Sequence, residues 1–301
     1  MNAPYQRVQV IINPASGGDE PILNTMNDIF NEFDMDWDVS ITRKAGDGAR
    51  FAKLAVEQGV DAVLAYGGDG TQLDVAGGML NTGIPMGVLP GGTANALADE
   101  LGLPDTLADA LRVICEPHRL RTIDAGKIGD RYFLLRIGSG VIARFHEEVN
   151  REMKDRFGIA AYIVGAVQAM REPRYGKYIL TIDDQRIETE GIACMVSNGN
   201  AIGALGIRLA PEIMIDDGLL NVYVLNSDLQ TVLGIMGSIS GREDMPLQQW
   251  RGKTIHIEAD PPQKIYADGE EEPAAETPCT IETLAGALKV IVSEGEMFDD
   301  A

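Results

Sequence analysis

Three short stretches of this chain carry residue types suited to holding phosphate. They are Asn13-Pro14-Ala15-Ser16-Gly17, Gly67-Gly68-Asp69-Gly70-Thr71 and Pro90-Gly91-Gly92-Thr93-Ala94-Asn95. Glycines let a backbone come close to phosphate oxygens, and a helix that starts just after them offers unpaired N–H donors. Asp69 is out of character in such a stretch. A carboxylate among phosphates repels them unless a cation lies between, so the pattern predicts a nucleotide–metal site. One Gly-Gly-Asp-Gly alone is equally well an ordinary turn. Three such stretches, each after an apolar run, are a far more specific signal.

Each stretch needs an element to present it. Arg7–Ile12, Ala62–Ala65 and Pro85–Leu89 are apolar, β-rich runs that end at the three stretches, and Trp37–Thr42 is a further strand. Helices are predicted between them. Ile22, Leu23, Met26, Ile29, Phe30 and Phe33 fall on one helical face. Ala49–Gln58 places Phe51, Leu54 and Ala55 inward, and Gln72–Ala76, Ala96–Leu101 and Leu107–Cys115 follow. Strands alternating with helices give a parallel sheet covered on both faces, and such sheets bind ligands beyond the carboxyl ends of their strands.

The pattern changes after about residue 120. Thr122–Ile128 and Arg131–Ile137 read as a hairpin around Gly129-Asp130. Strand-like runs follow at 178–183, 191–196, 219–225, 254–258, 264–267, 279–282 and 288–292, mostly joined by turns. That predicts a mainly antiparallel, β-rich second domain, interrupted by helical segments over about 143–170 and 229–240.

The bulk properties exclude several classes. The chain has 301 residues and a formal charge of −21, spread almost evenly as −10 over residues 1–125 and −11 over 126–301. Phosphate-backbone contact needs a basic face, so nucleic acid is not an expected partner, and constitutive docking on an anionic membrane is disfavoured. Cys115, Cys194 and Cys279 are odd in number and far apart, which fits a reducing cytoplasm rather than a disulfide framework. No apolar run approaches the ~20 residues of a membrane span, and the N-terminus lacks a signal-peptide pattern. The expected protein is cytoplasmic, with no stable membrane insertion. His118, His146 and His256 are isolated and read as structural.

Taken together, the motifs resemble the diacylglycerol kinase catalytic-domain family, which includes sphingosine and ceramide kinases and bacterial soluble lipid kinases. The likeness rests on the three stretches above. It continues through Asp124-Ala125-Gly126-Lys127 with Tyr132-Phe133-Leu134, Phe157–Tyr162, Asp216-Asp217-Gly218-Leu219-Leu220 and Asp268-Gly269-Glu270. The resemblance implies two domains. One is a Rossmann-like parallel-sheet nucleotide-binding domain over 1–124, with a last strand at about 287–301 returning to it. The other is a mainly antiparallel β-sandwich lipid-substrate domain over 125–286. The implied active site lies in the cleft between the two.

The implied reaction is ATP- and Mg2+-dependent phosphorylation of a lipid hydroxyl, of diacylglycerol or sphingoid type. Phosphoryl transfer needs charge neutralisation, positioning and a proton acceptor. The resemblance assigns backbone donors to Gly17, Gly67, Gly68, Gly70, Gly91 and Gly92, and hydroxyls to Ser16, Thr71 and Thr93. Asn13 and Asn95 fix loop geometry or contact nucleotide, and Thr42 sits at a nucleotide-contact position. Asp69 holds Mg2+ on the phosphates, Glu270 is the general base, and Asp268 orients it or shares a metal. Asp217 is a second Mg2+ ligand, remote from the chemistry, completed by the carbonyls of Met214 and Leu219.

Three departures from the family pattern stand out. Gly18-Asp19-Glu20 follows Gly17 where a basic residue is usual, leaving Arg43 and Lys44 to compensate. Asp74, counted with the cofactor-binding positions, stands where Glu is common. Ala96-Leu97 replaces Asp-Phe, and Asn-Ala-Leu-Ala is closer to sphingosine and ceramide kinases. The expected partner is a lipid presented at, or extracted from, a membrane, and a homodimer is compatible with the reading. The alternatives are an NAD kinase-like enzyme, which shares the Gly-Gly-Asp-Gly-Thr type of loop, and a non-catalytic lipid- or nucleotide-binding regulator of the same fold.

Overall fold

The computed structural model describes residues 4–17, 20–140, 175–202, 207–208, 213–225, 248–267 and 272–295. The helical segments expected over 143–170 and 229–240 lie outside these residues, as do Asp268 and Glu270. The chain divides into two compact units, Met1–Ile123 with Gly286–Ala301, and Asp124–Ala285.

The first unit alternates strands and helices: β1 (Arg7–Ile12), α1 (Ile22–Glu32), β2 (Asp36–Ile41), α2 (Asp47–Glu57), β3 (Ala62–Gly67), α3 (Asp69–Met79), β4 (Met86–Pro90), α4 (Ala96–Glu100) and α5 (Leu107–Cys115). The strand order is β2-β1-β3-β4, all parallel. The chain leaves β1 toward β2 on one side and returns to β3 on the other. That reversal is a topological switch point, where open α/β sheets bind ligands. Register aligns the strand ends: Ile12 lies opposite both Ile41 and Tyr66, and Gly67 lies opposite Pro90. The three Gly-rich stretches therefore leave the same edge of the sheet.

Burial follows the pattern of a sheet covered on both faces. β3 is buried at every residue. On one face, Val8, Val10, Ile12, Leu64, Tyr66 and Leu89 pack against Met26, Ile29 and Phe30 of α1 and Leu107, Leu111 and Ile114 of α5. On α2, Asp47, Gly48, Ala52 and Ala55 are buried, as expected for Ala55, whereas Phe51 is half-buried and Leu54 is 43% exposed, which corrects the inward face expected for those two. The cause is close helix packing. A side chain at Gly78 of α3 would strike the Ala49 carbonyl and lie 2.8 Å from Ala52 Cβ, so small residues meet there and the large ones turn out.

The second unit is a β-sandwich. Its strands follow β5 (His118–Ile128), whose residues from Asp124 onward belong to this unit: β6 (Arg131–Phe133), β7 (Arg136–Gly138), β8 (Gly176–Ile182), β9 (Gln185–Gly191), β10 (Ala193–Ser197), β11 (Ala201–Ile202), β12 (Ile207–Arg208), β13 (Leu220–Leu225), β14 (Gln248–Gly252), β15 (Thr254–Asp260), β16 (Lys264–Ala267), β17 (Ala275–Glu276) and β18 (Cys279–Ser293). One sheet has the order β14-β13-β10-β7-β16-β17. The other runs β18-β15-β8-β9, antiparallel throughout. Tyr178, Leu180, Ile182, Ile255, Ile257 and Ile281 from the second sheet meet Ile137, Val196, Val222, Val224 and Ile265 from the first. This is the alternating inner face of a sandwich.

Two expectations change here. Arg131–Ile137 is not one arm of a hairpin. Of this run only β6, Arg131–Phe133, pairs with β5, while β7 joins β10 and β16 in the other sheet. The runs at 279–282 and 288–292 are a single 15-residue strand, β18. Its later residues lie in the first unit, where Val290 pairs in parallel with Met86 and the Ala287 carbonyl accepts from Asn81 N–H.

Candidate functional site

The three stretches meet at the carboxyl edge of the parallel sheet, main chain against main chain. Gly17 N–H donates to the Gly91 carbonyl at 2.6 Å, and Asn13 N–H to the Tyr66 carbonyl at 3.0 Å. A Cβ on Gly92 would sit 2.5 Å from Gly68 Cα, closer than carbon atoms tolerate. Glycine at 68 and 92 is what lets the second and third loops touch. Gly17 has φ +85°, a conformation that favours glycine.

Side chains fix these contacts. Asn13 donates through Nδ2 to Thr71 Oγ1 at 3.0 Å and accepts from Ala15 N–H. The Thr71 side chain fills the space a Gly67 side chain would need. Asn95, at φ +45°, closes its own loop: Oδ1 accepts from Gly92 N–H at 2.8 Å and Nδ2 donates to the Gly92 carbonyl. Thr42 is buried just past β2, its N–H and hydroxyl both donating to the Ile12 carbonyl. Ser16 N–H donates to the Asn13 carbonyl, and Thr93 and Gly70 are exposed.

Asp69 is the first residue of α3, and its Oδ1 accepts from Leu97 N–H of α4 at 3.2 Å. One carboxylate thus joins the starts of two helices, where backbone N–H groups favour negative charge. Asp74 does a different job. Its Oδ2 accepts from the N–H groups of Gly46 and Gly48 at 3.1 and 2.8 Å, at the start of α2. That carboxylate is engaged in capping a helix.

The second unit places Asp217 beside Asp124. The Asp124 carboxylate is buried and accepts from Gly218 N–H at 2.6 Å, and Asp217 Oδ1 accepts from Leu219 N–H at 2.9 Å. Asp217 has its pKa raised. Partial burial is the main cause, and the charges of Asp124 and Asp216 add to it against the Leu219 N–H bond. Met214 is exposed, and Leu219 half-buried. Among the described residues no three His, Cys, Asp or Glu side chains converge as a metal cluster. A hard oxygen donor such as the Asp217 carboxylate suits Mg2+.

Two residues of the first site were not foreseen. Gln72 of α3 is buried and donates to the carbonyls of Ala65, Gly67 and Leu89, tying β3 to β4 just below the loops. Its polar type at a helical position turned toward the sheet was the available signal. Tyr66 is wholly buried and packs under Gly17 and Gly91. An aromatic residue directly before a glycine pair was the signal there.

Comparison with known proteins covers both units. The family model of the diacylglycerol kinase catalytic domain matches residues 7–128, and that of the YegS C-terminal NAD kinase beta sandwich-like domain matches residues 136–292. An uncharacterized protein of Synechocystis sp. is 31% identical over 265 residues, covering 84% of this chain and 60% of that protein, so the chain spans well under the full length of that relative. A protein of Alcanivorax borkumensis named as a probable YegS-like lipid kinase is 27% identical over 266 residues, covering 85% and 87%. The crystal structure of a diacylglycerol kinase from Bacillus anthracis superposes with a TM-score of 0.80 at 25% identity, covering 97% of this chain and 99% of that one.

Proposed function

We propose, for a chain that belongs to the diacylglycerol kinase catalytic-domain family, that it transfers the γ-phosphate of ATP to the hydroxyl of a lipid, of diacylglycerol or sphingoid type, in a Mg2+-dependent reaction. The observation that carries this reading is the meeting of three glycine loops at the switch-point edge of the first unit, with Gly17 bonded to Gly91 and Gly68 against Gly92. Such a surface of main-chain donors fits a triphosphate. Thr71 and the carboxylate of Asp69 stand beside it.

In this reading Asp69 holds the Mg2+ that neutralises the phosphates, Glu270 accepts the proton of the lipid hydroxyl, and Asp268 orients Glu270. When bound, Mg2+ supplies charge neutralisation at the transferring phosphoryl group. Loop residues 13–17, 67–71 and 90–95 hold the triphosphate, and Asn13 and Asn95 keep the loops in shape for it.

The test is transfer of radiolabel from γ-labelled ATP to a panel of lipid alcohols and to NAD. Labelled lipid supports the proposal. Labelled NAD with no lipid product makes the protein an NAD kinase-like enzyme. Nucleotide binding without turnover on any hydroxyl makes it a regulator.

Asp217 supplies a separate prediction. The Asp217 carboxyl holds its proton more tightly in the fold than in the unfolded chain. Its ionised form therefore opposes folding above the unfolded-state pKa, and a bound cation reverses that sign. Mg2+ is expected to raise Tm at neutral pH and to lose this effect as pH falls and the proton competes. Asp217→Asn is expected to leave the cation-free Tm equal or slightly higher and to abolish the Mg2+ shift. Thermal unfolding with and without Mg2+ measures both. An undiminished Mg2+ shift in the variant removes Asp217 from the site.

A further inference from the structure

Tyr66 carries a buried polar group that the loops themselves leave unused. Its side chain is 0% exposed, and its hydroxyl has no hydrogen-bond partner among the described residues. A buried donor without a partner is costly and calls for an explanation. The position of the phenol is informative. A Cβ on Gly91 would lie 2.9 Å from Tyr66 Cζ, and one on Gly17 would strike the hydroxyl oxygen itself. Gly17 is exposed, so the hydroxyl lies against a residue that itself reaches the outer surface of the loops. Gly17 and Gly91 are also joined by a main-chain hydrogen bond.

The first loop also lacks cations of its own. Gly17 is followed by Gly18-Asp19-Glu20, two of them acidic. Burial, and then the charge of Glu20, push the Tyr66 pKa above its ordinary value, so the hydroxyl keeps its proton at neutral pH and remains a donor.

We infer that Tyr66 is a phosphate-binding residue of this site: its hydroxyl, set between Gly17 and Gly91, donates to a phosphate oxygen of the bound nucleotide, directly or through one water. This rests on the nucleotide reading above. The loops supply main-chain donors, and Tyr66 supplies a side-chain donor from beneath them. No titration or bond rearrangement is involved, only the satisfaction of a donor left unpaired without nucleotide.

The inference makes two expectations of opposite sign for Tyr66→Phe. The substitution keeps the ring that packs under Gly17 and Gly91 and removes only the unpaired oxygen. The nucleotide-free protein should unfold at an equal or higher temperature than wild type. Affinity for Mg2+–ATP and Mg2+–ADP should fall about tenfold or more, the effect of losing a hydrogen bond to a charged acceptor. Affinity for adenosine, which has no phosphate, should not change.

Isothermal titration with ATP, ADP and adenosine, beside thermal unfolding of the ligand-free proteins, reads all of these. Equal ATP affinity in variant and wild type overturns the inference while leaving the kinase reading standing. A lower ligand-free Tm with equal losses for all three ligands also overturns it, by making the hydroxyl a structural group. Absence of ATP binding by wild type overturns the nucleotide reading itself, and this inference with it.

Discussion

Asp69→Asn is expected to remove Mg2+-dependent phosphoryl transfer while leaving the fold intact. The substitution separates two roles that the structure allows this carboxylate. As a structural group, Oδ1 accepts from Leu97 N–H at 3.2 Å and joins the start of α4 to the first residue of α3. The amide oxygen of Asn accepts the same bond, so a purely structural role predicts near-normal stability and near-normal turnover. As the group that brings Mg2+ to the phosphates, Asp69 acts through its charge, which Asn lacks. Losing several kcal/mol of charge neutralisation corresponds to about 10³-fold or more in kcat/KM. The measurement is kcat/KM for ATP across a Mg2+ titration, with Tm as the control. The expected signature is a large loss that high Mg2+ recovers only in part. Turnover equal to wild type at every Mg2+ concentration removes Asp69 from the metal site. Asp69→Ala adds a contrast, since it also loses the bond to Leu97 and should cost about 0.5–2 kcal/mol of stability, as a lost cap does.

The convergence of the loops was legible because it depends on main chain. Apolar runs ending in glycines mark buried strands that stop, and parallel strands in register bring their ends to one edge. What individual side chains do there was less legible. Asp74 follows the second motif and has the right charge for a site residue, and its Oδ2 accepts from the N–H groups of Gly46 and Gly48. Nothing in the local sequence tells which way a helical side chain turns once α2 is packed against α3. Tyr66 is the converse: an aromatic that reads as core, and is core, but whose hydroxyl ends among the loops.

The second unit shows the same division. Strands with apolar alternation, such as β8 and β13, were readable. β9 and β14 were not. They lie at sheet edges and carry Arg186, Glu188 and Glu190 or Gln248, Gln249 and Arg251, so they have too little apolar content to read as strands. Leu134 and Leu135 make Arg131–Ile137 look like one apolar strand. Their carbonyls instead accept from Asn198, at 2.8 Å from its side chain and 2.7 Å from its N–H, and that long-range contact splits the run into β6 and β7. Gly286, at φ +59°, lies inside β18 and looks like a break because glycine usually marks one.

Glu270→Gln is the second substitution with a large expected effect, and it tests the proton acceptor rather than the metal. A lipid hydroxyl is a poor nucleophile while it keeps its proton, and a positioned carboxylate contributes about 10²–10⁴ in rate by accepting it. Glutamine preserves the size of the side chain and can still accept a hydrogen bond, but it cannot take the proton. The expected result is a loss of kcat within that range, with ATP affinity unchanged. Asp268→Asn should produce a smaller loss, because an orienting group does not itself accept the proton. Unchanged kcat in Glu270→Gln removes Glu270 as base. The contrast with Asp69→Asn separates the two steps: added Mg2+ recovers part of a weakened metal site, but it does nothing for a missing base. If high Mg2+ restored Glu270→Gln, that carboxylate would have to be reassigned from accepting a proton to holding the cation.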